Sequence, residues 1–381
     1  MNRNPAPLRR IAAITILAAL AAAGPAAAQT PPAAVTLKAP AQQGYGKSLK
    51  LTGTVTPPAA QPVQVTVTPP GGTPQRIAAG TTRADGTFSL TARATAPGQL
   101  VAQTAAAASQ PVALTVVPKL TARWGGTRLP GGAIALKGRL VPAAAGAIAV
   151  GGKPVKVGRD GRFKVRTRAT RAGRTCTGVR LQRAPGWAAV AKRKRCVTIA
   201  APSLAAGSRG PAVRFLERRL DRLHYLLANR NASFGADTRD AVYAFQKIEG
   251  LARTGVVGPT MWNELARAHT PRASRRGTHI EVHKGRQVLL EVHGGRVKHV
   301  VNTSTGLTGN TPVGKWAIYR KDAGFNSLGM LDALYFIGGY AVHGYHSVPP
   351  YQASHGCARV PLWAARGIYD RWSIGDTVYV L

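Results

Sequence analysis

Two short motifs near the C-terminus concentrate the reactive side chains of this chain. His343–Ser347 reads HGYHS, and Ser354–Val360 reads SHGCARV. Within eighteen residues they bring together three histidines, one cysteine and one arginine beside glycines. The segment ahead of them has short, strand-like runs separated by Lys-Gly-Arg and Gly-Gly-Arg turns, which is typical of a β-meander. We therefore predict a β-rich C-terminal domain, residues 279–381, that carries a nucleophilic site.

The first 28 residues have the pattern of a signal peptide. Arg3, Arg9 and Arg10 precede an apolar run over residues 11–23, and residues 26–28 read AAA, an A-x-A-like cleavage site. The apolar run is too short to span a bilayer comfortably, and no later stretch is apolar enough to do so. We therefore expect a secreted protein with no stable membrane insertion once the signal peptide is removed.

Export determines how the three cysteines are interpreted. In an oxidising compartment two cysteines tend to pair, and an odd one is a candidate reactive thiol. Cys176 and Cys196 lie twenty residues apart in one strand-rich segment, so we predict a disulfide between them. Cys357 is then the free thiol.

The net charge of +38 is concentrated in the middle of the chain. Residues 118–200 contain twenty Lys and Arg residues but a single acid, Asp160. Such a surface is either simply solvated or attracts a polyanion, such as an acidic membrane or an anionic cell-wall polymer. Export, and the lack of any nucleic-acid-binding motif, argue against nucleic acid as the partner.

Residues 32–117 and 118–200 read as two diverged copies of one small β-sandwich module. Both consist of short alternating runs cut by Pro and Gly. LTGTV at 51–55 is echoed by LKGRL at 136–140, and ADGTFSL at 84–90 is echoed by RDGRFKV at 159–165. The Asp-Gly pairs predict hairpin turns. Nothing in either copy looks catalytic, so we interpret them as spacers or weak cell-wall-binding modules.

From residue 201 the apolar period changes to about 3.6, which predicts helices. Pro211 and Pro259 mark two helix starts, and Asp237 is the expected N-cap of the helix between them. Residues 205–268 resemble the three-helix peptidoglycan-binding module of cell-wall hydrolases and transpeptidases. The resemblance is carried by GSRGPAV at 207–213, FG at 234–235, AVYAFQ at 241–246 and GVVGP at 255–259. The polar, basic residues 269–278 are predicted to be a linker.

Cys357 is the candidate nucleophile, because a thiol needs a base or a cationic neighbour to react at neutral pH. The backbone N–H groups of Gly356 and Cys357 are the expected oxyanion donors. In an extended chain Arg359 points to the same side as Cys357, where it lowers the thiol pKa and holds a carboxylate. Spacing alone does not choose the base among three histidines: His343, His346 and His355.

Two arrangements are disfavoured by the sequence. His343 precedes the cysteine, which is opposite to the order in papain-like enzymes. Four further histidines have no compact ligand spacing and no supporting carboxylate or second thiol, so we predict exposed strand positions and no metal site. They are His279, His283, His293 and His299.

The C-terminal domain resembles the L,D-transpeptidases with a YkuD-type catalytic domain, which are cysteine enzymes that cross-link peptidoglycan. The motifs that carry the resemblance follow one another in the family's order: STG at 304–306, TPVG at 311–314, VHG at 342–344, SHGCARV at 354–360 and GDTVYV at 375–380. The resemblance implies a β-rich fold whose site lies in a groove under a capping segment. Residues 321–339 are the candidate for that segment.

The resemblance also implies roles for single residues. Cys357 is the nucleophile, His343 is its base, and the Gly344 carbonyl orients the imidazole. Ser354 and His355 shape the site and the oxyanion pocket. Substrate binding is assigned to Arg359, Tyr335 and Met330, and no cofactor is expected.

The implied reaction is acyl transfer on peptidoglycan stem peptides. Cys357 attacks the third residue of a tetrapeptide stem and expels D-Ala, and an amine of a neighbouring stem resolves the thioester to give a 3→3 cross-link. The same thioester resolved by water would make the protein a carboxypeptidase or hydrolase. A non-catalytic wall-binding protein and an extracellular polyanion-binding protein are rival hypotheses from other functional classes. The expected location is the cell wall or periplasm, and the expected partners are the stem peptides and glycan, with anionic wall polymers as further candidates.

Overall fold

The fold is described from a computed structural model, which covers residues 32–191 and 193–381. The predicted signal peptide, residues 1–28, lies outside the described residues. The chain divides into two compact units, with the division after Val116. The predicted fold class is confirmed, since the chain is mostly β and a three-helix module precedes a β-rich C-terminal domain.

The first unit is a sandwich of a three-stranded and a five-stranded sheet. The strand orders are β1-β3-β6 and β2-β8-β7-β4-β5. Alternate residues such as Leu49, Leu51 and Val65 are fully buried between them. The strands are β1 Ala34–Val35, β2 Gln42–Gly44, β3 Ser48–Thr56, β4 Pro62–Thr68, β5 Gln75–Thr81, β6 Thr87–Arg93, β7 Gly98–Gln103 and β8 Val112–Val117.

The second unit begins with another sandwich, of seven strands. They are β9 Lys119–Gly126, β10 Ala133–Val141, β11 Gly146–Val150, β12 Lys153–Val155, β13 Arg162–Arg168, β14 Gly173–Arg183 and β15 Arg193–Ile199. The two sheets have the orders β13-β10-β9 and β12-β11-β14-β15. Cys176 lies opposite Cys196 on β14 and β15, and the two form the predicted disulfide. Cys357 is a free cysteine.

A glycine–phenylalanine pair recurs at the same place in both sandwiches. Gly53 lies opposite Phe88, and Gly138 lies opposite Phe163. A Cβ on Gly53 would lie 2.5 Å from the phenylalanine ring, and one on Gly138 would lie 2.2 Å from it, so only glycine fits there. The structure therefore repeats the packing unit that the sequence echo indicates.

The two Asp-Gly turns also match each other, but they are not hairpins. Gly86 and Gly161 both have φ of +77°, which glycine adopts without strain. Each turn leads from a strand of one sheet to a strand of the other, β5 to β6 and β12 to β13. The prediction of hairpins at these turns is wrong, because the flanking strands pair with different neighbours.

Three helices follow: α1 Pro211–Arg222, α2 Ala236–Ile248 and α3 Pro259–Arg267. The prolines start α1 and α3 as predicted. The expected N-cap at Asp237 is wrong, since Gly235 is the N-cap residue of α2 and Asp237 lies in its first turn. The Asp237 carboxylate instead accepts hydrogen bonds from the backbone N–H groups of Ala228 and Asn229.

The C-terminal domain has a five-stranded sheet, β18-β17-β16-β24-β19, and a four-stranded sheet, β20-β21-β22-β23. Strands β16, β17 and β18 form the predicted meander. The elements are β16 His279–His283, β17 Val288–His293, β18 Arg296–Asn302, β19 Gly314–Ala317, β20 Arg320–Phe325, β21 Leu331–Ile337, β22 Tyr340–Tyr345, β23 Ala358–Pro361, α4 Leu362–Arg371 and β24 Thr377–Val380. Among the described residues, no helix is both long and apolar enough to cross a membrane.

The helical module and the C-terminal domain share one hydrophobic core. Its buried residues come from all three helices and from two strands of the meander, and they include Leu216, Phe245, Trp262, Leu290 and Val300. Because both parts contribute to a single cluster, neither buries its apolar face alone.

The predicted linker between the two parts, residues 269–278, has no regular structure, but it is held against the C-terminal domain. The backbone N–H groups of Ser274 and Arg275 donate to the Glu281 carboxylate at 3.0 and 2.8 Å. The Glu281 side chain is fully buried. The segment is therefore docked through backbone hydrogen bonds and does not behave as a free spacer.

Polar contacts also hold helix α2 at the junction between the helical module and the C-terminal domain. The Lys247 side chain of α2 is 3% exposed and donates from Nζ to Asn302 Oδ1 and to the backbone oxygens of Gln287 and Thr303. Asp240, also on α2, accepts hydrogen bonds from Asn302 and from the indole N–H of Trp363 on α4. Burial, and secondarily the charge of a nearby arginine, lowers the pKa of Lys247 to about 7.

Replacing this buried amine tests the junction. Lys247→Met leaves three buried oxygens without their donor, so we expect the free energy of unfolding to fall by about 3 kcal/mol. Differential scanning calorimetry of the full chain measures the change as a lower transition midpoint. Lys315→Met, at an exposed position of β19, is the matched control and should change the stability by less than about 0.5 kcal/mol.

The same variant carries a pH signature. The unfolded chain holds the Lys247 proton up to about pH 10.5, whereas the folded chain loses it near pH 7. Between these values the unfolded state binds more protons, so this group makes the wild-type protein more stable as the pH rises. The stability gap between wild type and Lys247→Met should therefore widen from about pH 7 to 10. A stability difference that does not change with pH would contradict the lowered pKa of Lys247.

Candidate active site

Parallel pairing of β22 with β23 brings the two sequence motifs together. His343 lies beside Arg359 in this pairing, and Val342 lies beside Ala358. Cys357 immediately precedes β23. Because side chains alternate along a strand, His343 and Tyr345 share a face of β22, and Arg359 lies on that face of β23.

His343 is buried, with 3% of its surface exposed. Its Nδ1 lies 2.9 Å from the Gly344 carbonyl oxygen. A carbonyl can only accept, so Nδ1 carries the proton and Nε2 keeps its lone pair in the neutral ring. The pKa of His343 is lowered to about 4, mainly by burial; the hydrogen bond to Gly344 opposes this shift, and the positive charge of Arg359 adds to it.

Cys357 is half-buried, and its thiol lies 3.7 Å from the Gly339 carbonyl oxygen. Burial raises the pKa of the Cys357 thiol, while a hydrogen bond with the Ala341 backbone and the positive charge of Arg359 lower it. The net direction is upward. The resting thiol and the resting imidazole are therefore both neutral, and Cys357 would have to lose its proton before it could act as a nucleophile.

A network of side-chain hydrogen bonds fixes the loop that presents Cys357. Ser354 Oγ donates to the Cys357 carbonyl at 2.6 Å and accepts from the Gly356 N–H at 3.0 Å. Thr311 Oγ1 donates to the Gly356 carbonyl at 2.7 Å. The neighbouring Asn310 Nδ2 donates to the His355 carbonyl at 2.9 Å. The TPVG motif thus supports the SHGC motif.

This network corrects one prediction. The Gly356 N–H was expected to be an oxyanion donor, but Ser354 Oγ already occupies it. Glycine is required at this position for a different reason. The residue has φ of +133°, and a Cβ would come 2.2 Å from the Tyr340 ring.

Arg359 is a buried cation without a carboxylate partner among the described residues. It is 9% exposed, its NH1 donates to the Ala353 carbonyl at 3.1 Å, and its guanidinium lies 4.0 Å from the centre of the Tyr345 ring. Its backbone pairs with Ser304 on the other side. A buried, positioned guanidinium of this kind suits a substrate carboxylate.

One cavity of about 540 Å³ collects most of the predicted site residues. It is lined by Leu328, Met330, Gly339, Tyr340, His343, Tyr345, Ser354, His355, Cys357 and Arg359. His355 is exposed at its edge. His346 is exposed, packs against Tyr345 with ring centres 4.2 Å apart, and is absent from the cavity lining.

Tyr335, a predicted substrate contact, is also absent from the cavity lining. Its ring is 4% exposed, lies under the Arg320 guanidinium at 3.8 Å, and packs with Met330 in a small cluster that touches Cys357. Tyr335 therefore supports the floor behind the thiol instead of facing the cavity.

The predicted capping segment, residues 321–339, is largely an ordered part of the four-stranded sheet. Strands β20 and β21 pair with each other, and β21 pairs with β22. The segment reaches the cavity through Leu328 and Met330, in the turn between β20 and β21, and through Gly339 at its end. Leu328 is 72% exposed, so the turn forms an apolar rim.

The prediction of exposed positions for the four remaining histidines of the domain is wrong, since one is buried and three are half-buried. The expected lack of carboxylates is wrong for three of them. His279 and His283 both contact the buried Glu281 carboxylate, at 2.9 and 2.8 Å. The other two histidines differ from each other: His299 contacts Glu291 at 2.8 Å, and His293 stacks on Trp372. No cluster of three metal-ligating side chains occurs in residues 32–191 or 193–381.

The residues missed at the sequence level are two tyrosines of β22. Tyr345 stacks on Arg359, and Tyr340 packs over Gly356. Tyr345 could have been found from its two-residue spacing to His343, which puts both on one face of a strand. Tyr340 had no such signal, because its contact depends on how the SHGC loop folds back.

Comparison with protein families agrees with this architecture. Residues 209–265 match a peptidoglycan binding domain family, and residues 277–380 match the L,D-transpeptidase catalytic domain family. The crystal structure of residues 123–326 of an L,D-transpeptidase from Xylanimonas cellulosilytica is 38% identical in sequence. The match covers 48% of this chain and 98% of that one, with a TM-score of 0.45. No curated protein gave a significant match.

The assignment rests on the two family matches and on the sequence identity over nearly all of the solved relative. The helical module and the catalytic domain occur in the order that the sequence motifs indicate. The chain belongs to the L,D-transpeptidase family and carries a peptidoglycan-binding domain ahead of its catalytic domain.

Proposed function

We propose that the protein is a secreted L,D-transpeptidase that forms 3→3 cross-links in peptidoglycan through a thioester on Cys357. The observation that carries the proposal is the grouping of a free thiol, a neutral buried imidazole and a buried arginine around one cavity whose lining contains no acid. The pattern of residues 1–28 supports export, and the peptidoglycan-binding domain supports action at the cell wall.

In the acylation step, His343 Nε2 takes the thiol proton as Cys357 Sγ attacks the carbonyl carbon of the third stem residue. The new C–S bond forms, the C–N bond to the terminal D-Ala breaks, and His343 returns the proton to the leaving amine. The Gly344 carbonyl holds the Nδ1 proton throughout. The products of this step are free D-Ala, a thioester and a neutral His343.

In the second step, an amine of a neighbouring stem attacks the thioester. His343 Nε2 removes a proton from that amine, the C–S bond breaks, and the proton passes to the sulfur to restore the Cys357 thiol. Arg359 holds a carboxylate of the donor stem, since it lines the cavity and has no acidic partner in that lining. The apolar turn at Leu328 and Met330 covers the stem and limits the access of water.

The nature of the product tests the proposal. Incubation of the mature chain with disaccharide-tetrapeptide, followed by mass spectrometry, should give cross-linked dimer and free D-Ala. Tripeptide without dimer would mean that water resolves the thioester and that the protein is a carboxypeptidase. Cys357→Ala should lower turnover at least about a thousandfold, and unchanged turnover would exclude the thioester mechanism.

A pair of histidine variants identifies the base. His343→Ala should lower kcat by about a hundredfold or more, because general base catalysis is lost. His346→Ala is the matched control, since that side chain is exposed and absent from the cavity lining, and its kcat should stay within about twofold of wild type. The opposite result would make His346 the base.

The resting protonation states predict a characteristic pH dependence. With a pKa of about 4, His343 stays neutral at about pH 5 and above, so the acid limb of kcat/KM should lie near pH 4. Because the Cys357 pKa is raised, alkylation of the free enzyme by iodoacetamide should keep accelerating up to about pH 9. A plateau of alkylation between about pH 5 and 8 would instead reveal a preformed thiolate–imidazolium pair.

A further inference from the structure

The outer face of sheet β13-β10-β9 carries positive charges directly opposite one another. Arg123 on β9 lies beside Lys137 on β10, and Lys137 lies beside Lys164 on β13. In the next row Arg139 lies beside Arg162. All five side chains are exposed. Like charges at directly opposite positions destabilise a sheet, so this arrangement has a cost that an anionic ligand would offset.

These cations surround a concave surface. A cavity of about 740 Å³ is lined by Arg123, Lys137, Arg139, Lys156, Arg162 and Lys164, together with Gly138, Gly158 and Phe163. Asp160 is the single acid of this module, and it already lies 3.4 Å from Arg162. The positive charge of the cavity is therefore almost uncompensated.

Strand β13 extends this surface toward the helical module. Its outer face presents Arg162, Lys164, Arg166 and Arg168 at two-residue intervals, and all four are exposed. At about 3.3 Å per residue these charges span roughly 20 Å. The strand lies at the edge of its sheet, so no further strand covers it on that side.

The far end of β13 meets helix α1. Arg168 shares a cavity of about 620 Å³ with Arg218, Arg222 and Arg230. Asp221 is the one acid in that lining, and it is paired with Arg230. The positive charge therefore remains largely uncompensated at this end as well.

The whole surface can be treated as one feature. We define the cationic track as a set of exposed basic residues on β13, on the neighbouring strands β9 and β10, and on helix α1: Arg123, Lys137, Arg139, Arg162, Lys164, Arg166, Arg168, Arg218 and Arg222. It runs from the second β-sandwich to helix α1, and both regions lie in the same compact unit. None of the large exposed hydrophobic side chains in the described residues lines either of the two cavities along it.

We propose that the cationic track binds a linear polyanion of the cell envelope, one with a phosphodiester or carboxylate in each repeat. Guanidinium groups suit both anions, since each can accept two parallel hydrogen bonds. The track is long and narrow, which fits an extended polymer. Surfaces that bind membranes pair cations with exposed apolar groups, and the track lacks such groups among the described residues.

Binding of labelled poly(glycerol phosphate) to the mature chain, followed by fluorescence anisotropy at several salt concentrations, tests the proposal. The track variant is Lys137→Gln, Lys164→Gln and Arg166→Gln together. It should bind at least about tenfold more weakly at physiological salt, with the slope of log K against log salt shallower by about 2. A second variant, Arg168→Gln with Arg218→Gln, should also weaken binding, because the ligand reaches the far end.

A matched control makes the same change in net charge away from the track. Arg174→Gln, Arg180→Gln and Lys194→Gln are at exposed positions on the other sheet of the same sandwich. This variant should bind within about twofold of wild type. Equal losses in the control and the track variant would overturn the proposal, since the effect would then come from net charge alone.

The choice of probe separates the sources of the anion. Poly-γ-glutamate in place of poly(glycerol phosphate) distinguishes carboxylate from phosphodiester repeats, and track-dependent binding of either polymer supports the proposal. If neither polymer shows track-dependent binding, the proposal is overturned, even where anionic phospholipid vesicles bind. Turnover of soluble disaccharide-tetrapeptide should be unchanged in the track variant, so this test is independent of the proposed transpeptidase activity.

Discussion

Strands β22 and β23 run parallel, and their pairing places His343 beside Arg359. The arrangement depends on a close approach of backbone that two glycines allow. A Cβ on Gly344 would lie 2.5 Å from a neighbouring Cβ of α4, and one on Gly356 would enter the Tyr340 ring. On its other side the Arg359 backbone is bonded to the Ser304 backbone in both directions. His343 and Arg359 therefore lie on strands held by backbone hydrogen bonds, next to Cys357.

The electrostatics of the site follow from this burial. Removing His343 from water favours its neutral form, and the nearby Arg359 charge acts in the same direction. The thiol is also held neutral, although Arg359 works against burial there. One cation thus makes the imidazole a weaker base and the thiol a stronger acid. In the mechanism proposed above, proton transfer between them is therefore a step of the reaction and has not already taken place in the resting site.

The helical module is joined to the catalytic domain by packing, not only by chain connectivity. Their apolar residues form one cluster, and Lys247 and Asp240 of α2 are bonded to residues of the catalytic domain inside the junction. Docking of residues 269–278 through Glu281 adds to this. A ligand held by the helical module would therefore be presented to the active site from a constant direction.

The sequence by itself determined the features that depend on local chemistry. Pro211 and Pro259 start helices because their fixed φ suits a first turn, and the recurring Asp-Gly pairs produce matching turns because glycine tolerates positive φ. Cys357 could be singled out because it is the odd cysteine of a chain that carries an export signal pattern. The family motifs then indicated the fold of the C-terminal domain.

Only the tertiary structure decided which groups are buried and which hydrogen bonds are already made. It places His343 in the cavity lining and His346 outside it, and it shows that the Gly356 N–H already donates to Ser354 Oγ. These outcomes depend on contacts between residues far apart in the chain, and the spacing of residues along the sequence carries no information about that packing.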